Sequence, residues 1–122
     1  MWCRGVRGAT TVETNSKEAI LDATRELLKL LIAANDIKPE NVAYALFTTT
    51  RDLNAEFPAV AARQLGWTDV ALMCGHEMEV PGATRGVIRI MILLNTERGA
   101  AEIKHFYVRG AANLKAPVER VE

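Results

Sequence analysis

The run Val87-Ile88-Arg89-Ile90-Met91-Ile92-Leu93-Leu94 constrains this chain more than any other segment. It is strongly apolar and reads as a strand from Gly86 to Asn95. Alternation places Arg89 on one face beside Val87 and Met91. A guanidinium cannot be neutralised at ordinary pH, so burying it demands an anionic partner or hydrogen-bond acceptors. Two readings of Arg89 are open: a structural ion pair or an edge residue reaching water, and a binder of a substrate carboxylate or a developing oxyanion.

The other elements follow from local signals. Residues 2–13 read as a strand with Cys3, Gly5, Arg7 and Ala9 on one face and Trp2, Arg4, Val6 and Gly8 on the other. Asn15 and Ser16 are both good helix caps, and Lys17 to about Asn35 carries apolar residues at helical spacing, including Ile20, Leu27 and Leu31. Val42 to Thr50 reads as a strand that is apolar on both faces until its threonines. Pro58 to Leu65 is a short Ala-rich helix with Gly66 past its end. Asp69 to Cys74 reads as a third strand, 99–105 as a helical turn and His105 to Arg109 as a last strand.

The expected class is therefore α/β mixed, or α+β, with about five strands and only one long helix to cover them. One sheet face would be left poorly covered, and such a surface points to a homo-oligomer. With 122 residues, the chain reads as a single domain over 1–122, in which 115–122 forms a tail. Lys+Arg and Asp+Glu are 15 each, so the basic excess of a nucleic-acid binder is missing. No stretch reaches the ~20 apolar residues of a membrane span, and the first residues lack a signal-peptide core, so a cytoplasmic location is expected. Cys3 and Cys74 are then expected as free thiols.

Several residues invite chemistry. Arg7 lies among glycines on the first strand, where a close approach by a ligand or another backbone is possible. Two strand-borne arginines suggest a small polyanionic ligand. Cys74-Gly75-His76-Glu77 contains zinc-ligand types, but Val80 breaks the His-Glu-x-x-His pattern, and no metal is expected. Cys74 reads as a buried inert thiol and Glu77 as a hydrogen-bonding or solvated carboxylate. Phe57-Pro58-Ala59 with Arg63 offers an aromatic wall near a cation, and Tyr107 a phenolic donor. No phosphate-binding, dinucleotide or serine-hydrolase signature is present.

The segment Arg4-Gly5-Val6-Arg7-Gly8-Ala9-Thr10-Thr11-Val12-Glu13 resembles the N-terminal signature of the monofunctional, trimeric chorismate mutases of the AroH class. The likeness continues in order through Asp52-Leu53, Phe57-Pro58-Ala59, Arg63, Cys74 with Glu77-Met78, Ile88-Arg89-Ile90-Met91 and His105-Phe106-Tyr107. It covers the chain to about residue 115.

The resemblance implies a homotrimer forming a pseudo-α/β barrel, with three active sites between neighbouring subunits. It implies the cofactor-free Claisen rearrangement of chorismate to prephenate in phenylalanine and tyrosine biosynthesis, with no covalent intermediate. By the same resemblance Arg89 donates to the ether oxygen and side-chain carboxylate, and Arg7 and Tyr107 bind that carboxylate. Glu77 and Cys74 meet the ring hydroxyl. Phe57, Ala59, Met73 and Leu114 shape the walls, Arg63 lies near the entrance and Lys115 belongs to the substrate-binding tail.

This chain departs from the family pattern at Val60, where Lys is common, at Met73 for Thr, at Gly75-His76 and at Lys115 for Arg. These departures bear on substrate capture and leave the charges nearest the substrate in place. The competing reading is a trimeric small-molecule-binding protein or Rid-type imine deaminase with an interface Arg that holds a carboxylate. A purely structural trimer is the third reading, and it leaves Arg89 and Glu77 without a role.

Overall fold

A computed structural model describes residues 1–114. The element order is β1 (Trp2–Thr11), α1 (Lys17–Asn35), β2 (Val42–Thr49), α2 (Ala59–Gln64), β3 (Leu72–His76), β4 (Val87–Thr96) and β5 (Phe106–Tyr107). Single 3-10 turns lie at Pro39–Asn41, Ala100–Glu102 and Arg109–Ala111. The five strands form one mixed sheet in the order β3-β2-β4-β1-β5. β4 runs antiparallel to both β1 and β2, while β5 adds parallel to β1 and β3 parallel to β2.

α1 begins and ends where its caps dictate. The Ser16 hydroxyl accepts from the Ala19 amide, and Asp36, at φ 50°, turns the chain out while its amide bonds back to Ile32. The helix buries Ile20, Leu21, Ala23, Leu27, Leu28 and Leu31 against one sheet face. Each buried leucine or isoleucine among them contributes roughly 1.5–3 kcal/mol of hydrophobic stabilisation. The strands supply Val6, Ala45, Phe47, Ile90, Ile92 and Leu94 to the same core, and Trp67 closes it beside α2. Gly8 explains how close α1 comes. A Cβ there would stand 3.0 Å from the terminal carbons of both Leu27 and Leu31. That glycine therefore admits the helix, and the same Cβ would stand 3.2 Å from the Phe106 carbonyl of β5.

Among the described residues no helix packs on the opposite sheet face. Along β4 the burial alternates, with Ile88, Ile90, Ile92 and Leu94 buried and Arg89, Met91 and Leu93 half-exposed. β2 alternates likewise, so only one of its two apolar faces is covered within a single chain. This is the uncovered face that the shortage of helices predicts.

Boundaries shift in places. The third strand lies at Leu72–His76 rather than ending at Cys74, because its ladder follows β2 as far as Thr49↔His76. The last strand shrinks to Phe106–Tyr107. It is docked by Asn35, a buried residue whose side chain donates to the carbonyls of Leu31 and Lys104 and accepts from the Lys104 amide. The proposed tail, including Lys115, lies outside the described residues.

Candidate active site

Strand register decides which side chains meet on the open face. Ala9 pairs with Arg89, and Arg89 with Thr48. Arg7 pairs with Met91, and Met91 with Leu46. Tyr107 lies beside Ala9 across β5. Since direct partners share a face, Arg7, Arg89, Tyr107 and Thr48 project from the same side of the sheet. They line a cleft of about 290 Å³ with Glu77, Leu46, Met91 and Leu114. Leu114 arrives through the turn after β5, where its amide bonds to the Ala111 carbonyl.

Glu77 follows the last residue of β3. Its backbone amide bonds to the Thr49 carbonyl at 2.8 Å, which carries the chain across the end of β2. Its carboxylate then turns over the open face. Oε1 lies 3.2 Å from Arg89 Nε, and Oε2 accepts from the Thr48 hydroxyl. The Arg89–Glu77 contact is an ion pair by distance, but the Nε–H is not aligned on the carboxylate. Arg89 Nε is thus a buried donor without a hydrogen-bond partner among the described residues. A buried unsatisfied donor is costly in a resting protein and useful where a ligand supplies the acceptor.

Arg7 is fixed from behind. Its backbone amide donates to His105 Nδ1 at 3.0 Å. None of the carboxylates of the described residues forms a salt bridge with its side chain. The cleft thus presents two guanidinium groups, one phenol and one carboxylate.

Cys74, Phe57, Ala59 and Arg63 lie elsewhere. Cys74 pairs with Phe47, whose side chain is in the core, so its thiol is on the helix-covered side. It lines a second cleft of about 340 Å³ with Phe57, Pro58, Thr49 and His76. Burial pushes the Cys74 thiol above its ordinary pKa, outweighing the Ala59 amide and the Arg63 charge that act the other way. Those same influences place Ala59 and Arg63 beside it. Met73 projects from the open face at the sheet edge, 57% exposed, with the Tyr44 hydroxyl 3.8 Å from its sulfur.

The site residues expected from the sequence therefore form two groups in one chain. Arg7, Glu77, Arg89, Tyr107 and Leu114 share the open face, while Phe57, Ala59, Arg63 and Cys74 gather at the β3 edge. Consecutive residues Thr48 and Thr49 mark the division, one lining each cleft. Among the described residues no three His, Cys, Asp or Glu are grouped to hold a metal ion, and no helix is long and apolar enough to cross a membrane.

Sequence reasoning missed two parts of this arrangement. Thr48 escaped notice because a threonine in a strand carries no chemical signature until the register is known. His105 stood in a matching block without a role, and its bond to Arg7 joins residues far apart in the chain.

Nearly the whole chain, beyond this cleft, is similar to known proteins. The family model for chorismate mutase type I matches residues 3–118. Chorismate mutase AroH of Thermus thermophilus is 44% identical over 120 residues, spanning 98% of each chain. Chorismate mutase AroH of Bacillus subtilis is 42% identical over 116 residues, covering 94% of this chain and 91% of that one. The solved structure of a chorismate mutase from Clostridium thermocellum superposes with a TM-score of 0.87 at 43% identity, covering 91% of this chain and 97% of that one. Both the full-length identity and the shared fold place this chain in the chorismate mutase type I family.

Proposed function

We propose that this chain converts chorismate to prephenate by holding a reactive conformer against a fixed set of charges on the open sheet face. One observation carries the reading. Arg89 sits mid-strand with a buried Nε–H that lacks a hydrogen-bond acceptor among the described residues, between Glu77, Arg7 and Tyr107. Family membership decides between this reading and the imine-deaminase alternative that Arg89 alone leaves open.

The reaction explains why those groups suffice. Chorismate is a dianion, and its ether carbon–oxygen bond breaks ahead of carbon–carbon bond formation. Negative charge grows on the ether oxygen and positive character on the ring, with no proton transferred. A guanidinium beside the ether oxygen and a carboxylate beside the ring therefore lower the barrier without acid–base work. In this reading Arg89 donates to the ether oxygen and the side-chain carboxylate. Arg7 and Tyr107 hold that carboxylate, and Glu77 accepts from the ring hydroxyl. Strand positions fix Arg7, Arg89 and Tyr107 before substrate arrives, which is what a reaction governed by orientation requires. No cofactor enters.

The remaining residues complete the site across a subunit boundary. Phe57 and Met73 are 68% and 57% exposed, and both flank the β3 edge. The half-exposed Leu46, Met91 and Leu93 lie on the open face. In a homotrimer with sheets inward, the β3-edge group of one copy (Phe57, Ala59, Arg63 and Cys74) lies over the open-face group of its neighbour. Leu114 then approaches the same cleft from the turn after β5. A cytoplasmic location goes with this reading.

The test is direct. Purified protein is added to chorismate while substrate loss and prephenate formation are followed, and its mass is measured by light scattering. The reading expects turnover and a mass near three times 13.4 kDa. An active monomer would remove the shared site, and an inert trimer would remove the activity.

A further inference from the structure

We propose that Thr48 is a positioning residue for Glu77: its hydroxyl holds carboxylate oxygen Oε2 and so directs Oε1 toward Arg89 and the ring hydroxyl of the substrate. The proposal rests on the mutase reading above, since it deepens the role given there to Glu77.

Glu77 needs such a support. It lies one residue past the end of β3, and its described backbone anchor is the single amide bond to the Thr49 carbonyl. Its long side chain must still settle in one of many rotamers over an open face. Thr48 is suited to choose among them. It is β-branched and therefore stiff at χ1, and it sits inside β2. It pairs directly with Arg89 on one side and with Gly75 on the other. Gly75 has no side chain to intervene, so the carboxylate can reach across to the Thr48 hydroxyl. A hydroxyl donates one proton, and here that donation goes to Oε2. Oε1 is left at 3.2 Å from Arg89 Nε, short of a proper hydrogen bond and open to an incoming hydroxyl.

Thr48→Val, Thr48→Ser and Thr48→Ala are compared in prephenate formation, each alone and in a Glu77→Gln background, with Tm and mass recorded for every variant. Valine keeps the shape and loses the donor. A hydrogen bond to a charged group is worth about a tenfold rate factor or more, so Thr48→Val should lower kcat by about that much while KM moves by less than about threefold. Thr48→Ser, which keeps the hydroxyl, should recover to within about threefold. In the Glu77→Gln background Thr48→Val should cost less than about twofold, because its effect passes through the carboxylate. A folded Thr48→Val or Thr48→Ala with undiminished kcat, beside an impaired Glu77→Gln, would overturn the positioning role alone. The same factor lost in both backgrounds would also overturn it, by showing that Thr48 acts through packing. Full activity in Glu77→Gln would instead remove Glu77 from the mechanism, and this proposal with it.

Discussion

The two faces of the sheet are built from the same strands and do opposite work. On the covered face, Val6, Phe47, Ile90 and Ile92 alternate inward to meet Leu27, Leu28 and Leu31 of α1. That face is apolar and closed by a helix. On the open face the intervening positions of the same strands carry Arg7, Thr48, Arg89 and Met91. Charge is tolerated there because no helix of the described residues desolvates it and because Arg89, with its side chain 42% exposed, meets Glu77. A period of two residues thus separates stability from chemistry. Substitutions on one face should move Tm and leave kinetics alone, and those on the other should do the reverse.

Arg89→Ala tests that separation hardest. Removing one donor aimed at a developing oxyanion costs about 10²–10³ in kcat, roughly 3–4 kcal/mol. Arg89 also binds a carboxylate in this reading, so kcat/KM should fall at least that far while Tm barely changes. Arg89→Lys should be severely impaired too, because an ammonium lacks the planar fork and the reach. If Arg89 were only architectural, its alanine variant would melt earlier and the folded protein would keep a near-normal kcat.

Leu31→Ala is the mirror experiment. Leu31 is fully buried against the covered face. Its truncation should cost about 2–5 kcal/mol of stability, read by denaturant unfolding. The folded fraction should keep its kcat, since the side chain reaches no open-face residue through its own packing. A Leu31→Ala protein of normal stability but low kcat would show the two faces to be coupled.

A pH experiment addresses Asp52, in the loop between β2 and α2 and outside both faces. Burial pushes the Asp52 carboxyl up, but bonds from the Thr50 side chain and from backbone amides, with the charge of Arg85, bring it below its ordinary value. A lowered folded pKa adds stability above the unfolded value of about 3.9 and loses it as pH falls through the folded one. Asp52 is largely solvated, so the contribution is at most about 1 kcal/mol. Asp52→Asn should lower Tm slightly at neutral pH, and the gap from the parent should close in acid. A gap that widened in acid would reverse the sign.

The sequence carried the elements more clearly than their meeting points. Ser16, the leucine spacing of α1 and the apolar run of β4 are local signals, and the structure follows them closely. Arg89 was conspicuous because a charge inside an apolar strand needs a reason. Asn35, His105 and Thr48 were silent. Each acts through a partner at large sequence separation, and such pairs exist only once register and docking are set. Gly8 was legible as a point of close approach, though not what approaches: the Phe106 carbonyl of β5 on one hand and the helix on the other. Family likeness named candidate site residues, yet it could not show that one chain keeps them in two groups.

Cys74 is where the two groups can be told apart with the smallest perturbation. It sits on the covered side at the β3 edge, and burial raises its thiol, so at neutral pH it is the protonated thiol that faces the second cleft. A protonated thiol is a poor nucleophile and can still serve as a weak hydrogen-bond partner. Cys74→Ser keeps the donor and removes the soft nucleophile. In a site shared between copies, where Cys74 only meets the ring hydroxyl, the variant should hold kcat/KM within about threefold, since a weak neutral hydrogen bond is exchanged for another. A mechanism with covalent catalysis predicts loss of nearly all turnover, because a serine hydroxyl without an activating base attacks far more slowly. The pH profile supplies a second readout on the same protein. With no proton transferred in the reaction, kcat should stay flat across neutrality in both parent and variant. A steep rise toward alkaline pH that Cys74→Ser abolishes would mean that the thiolate does the chemistry, and would move the catalytic centre from the open face to the sheet edge.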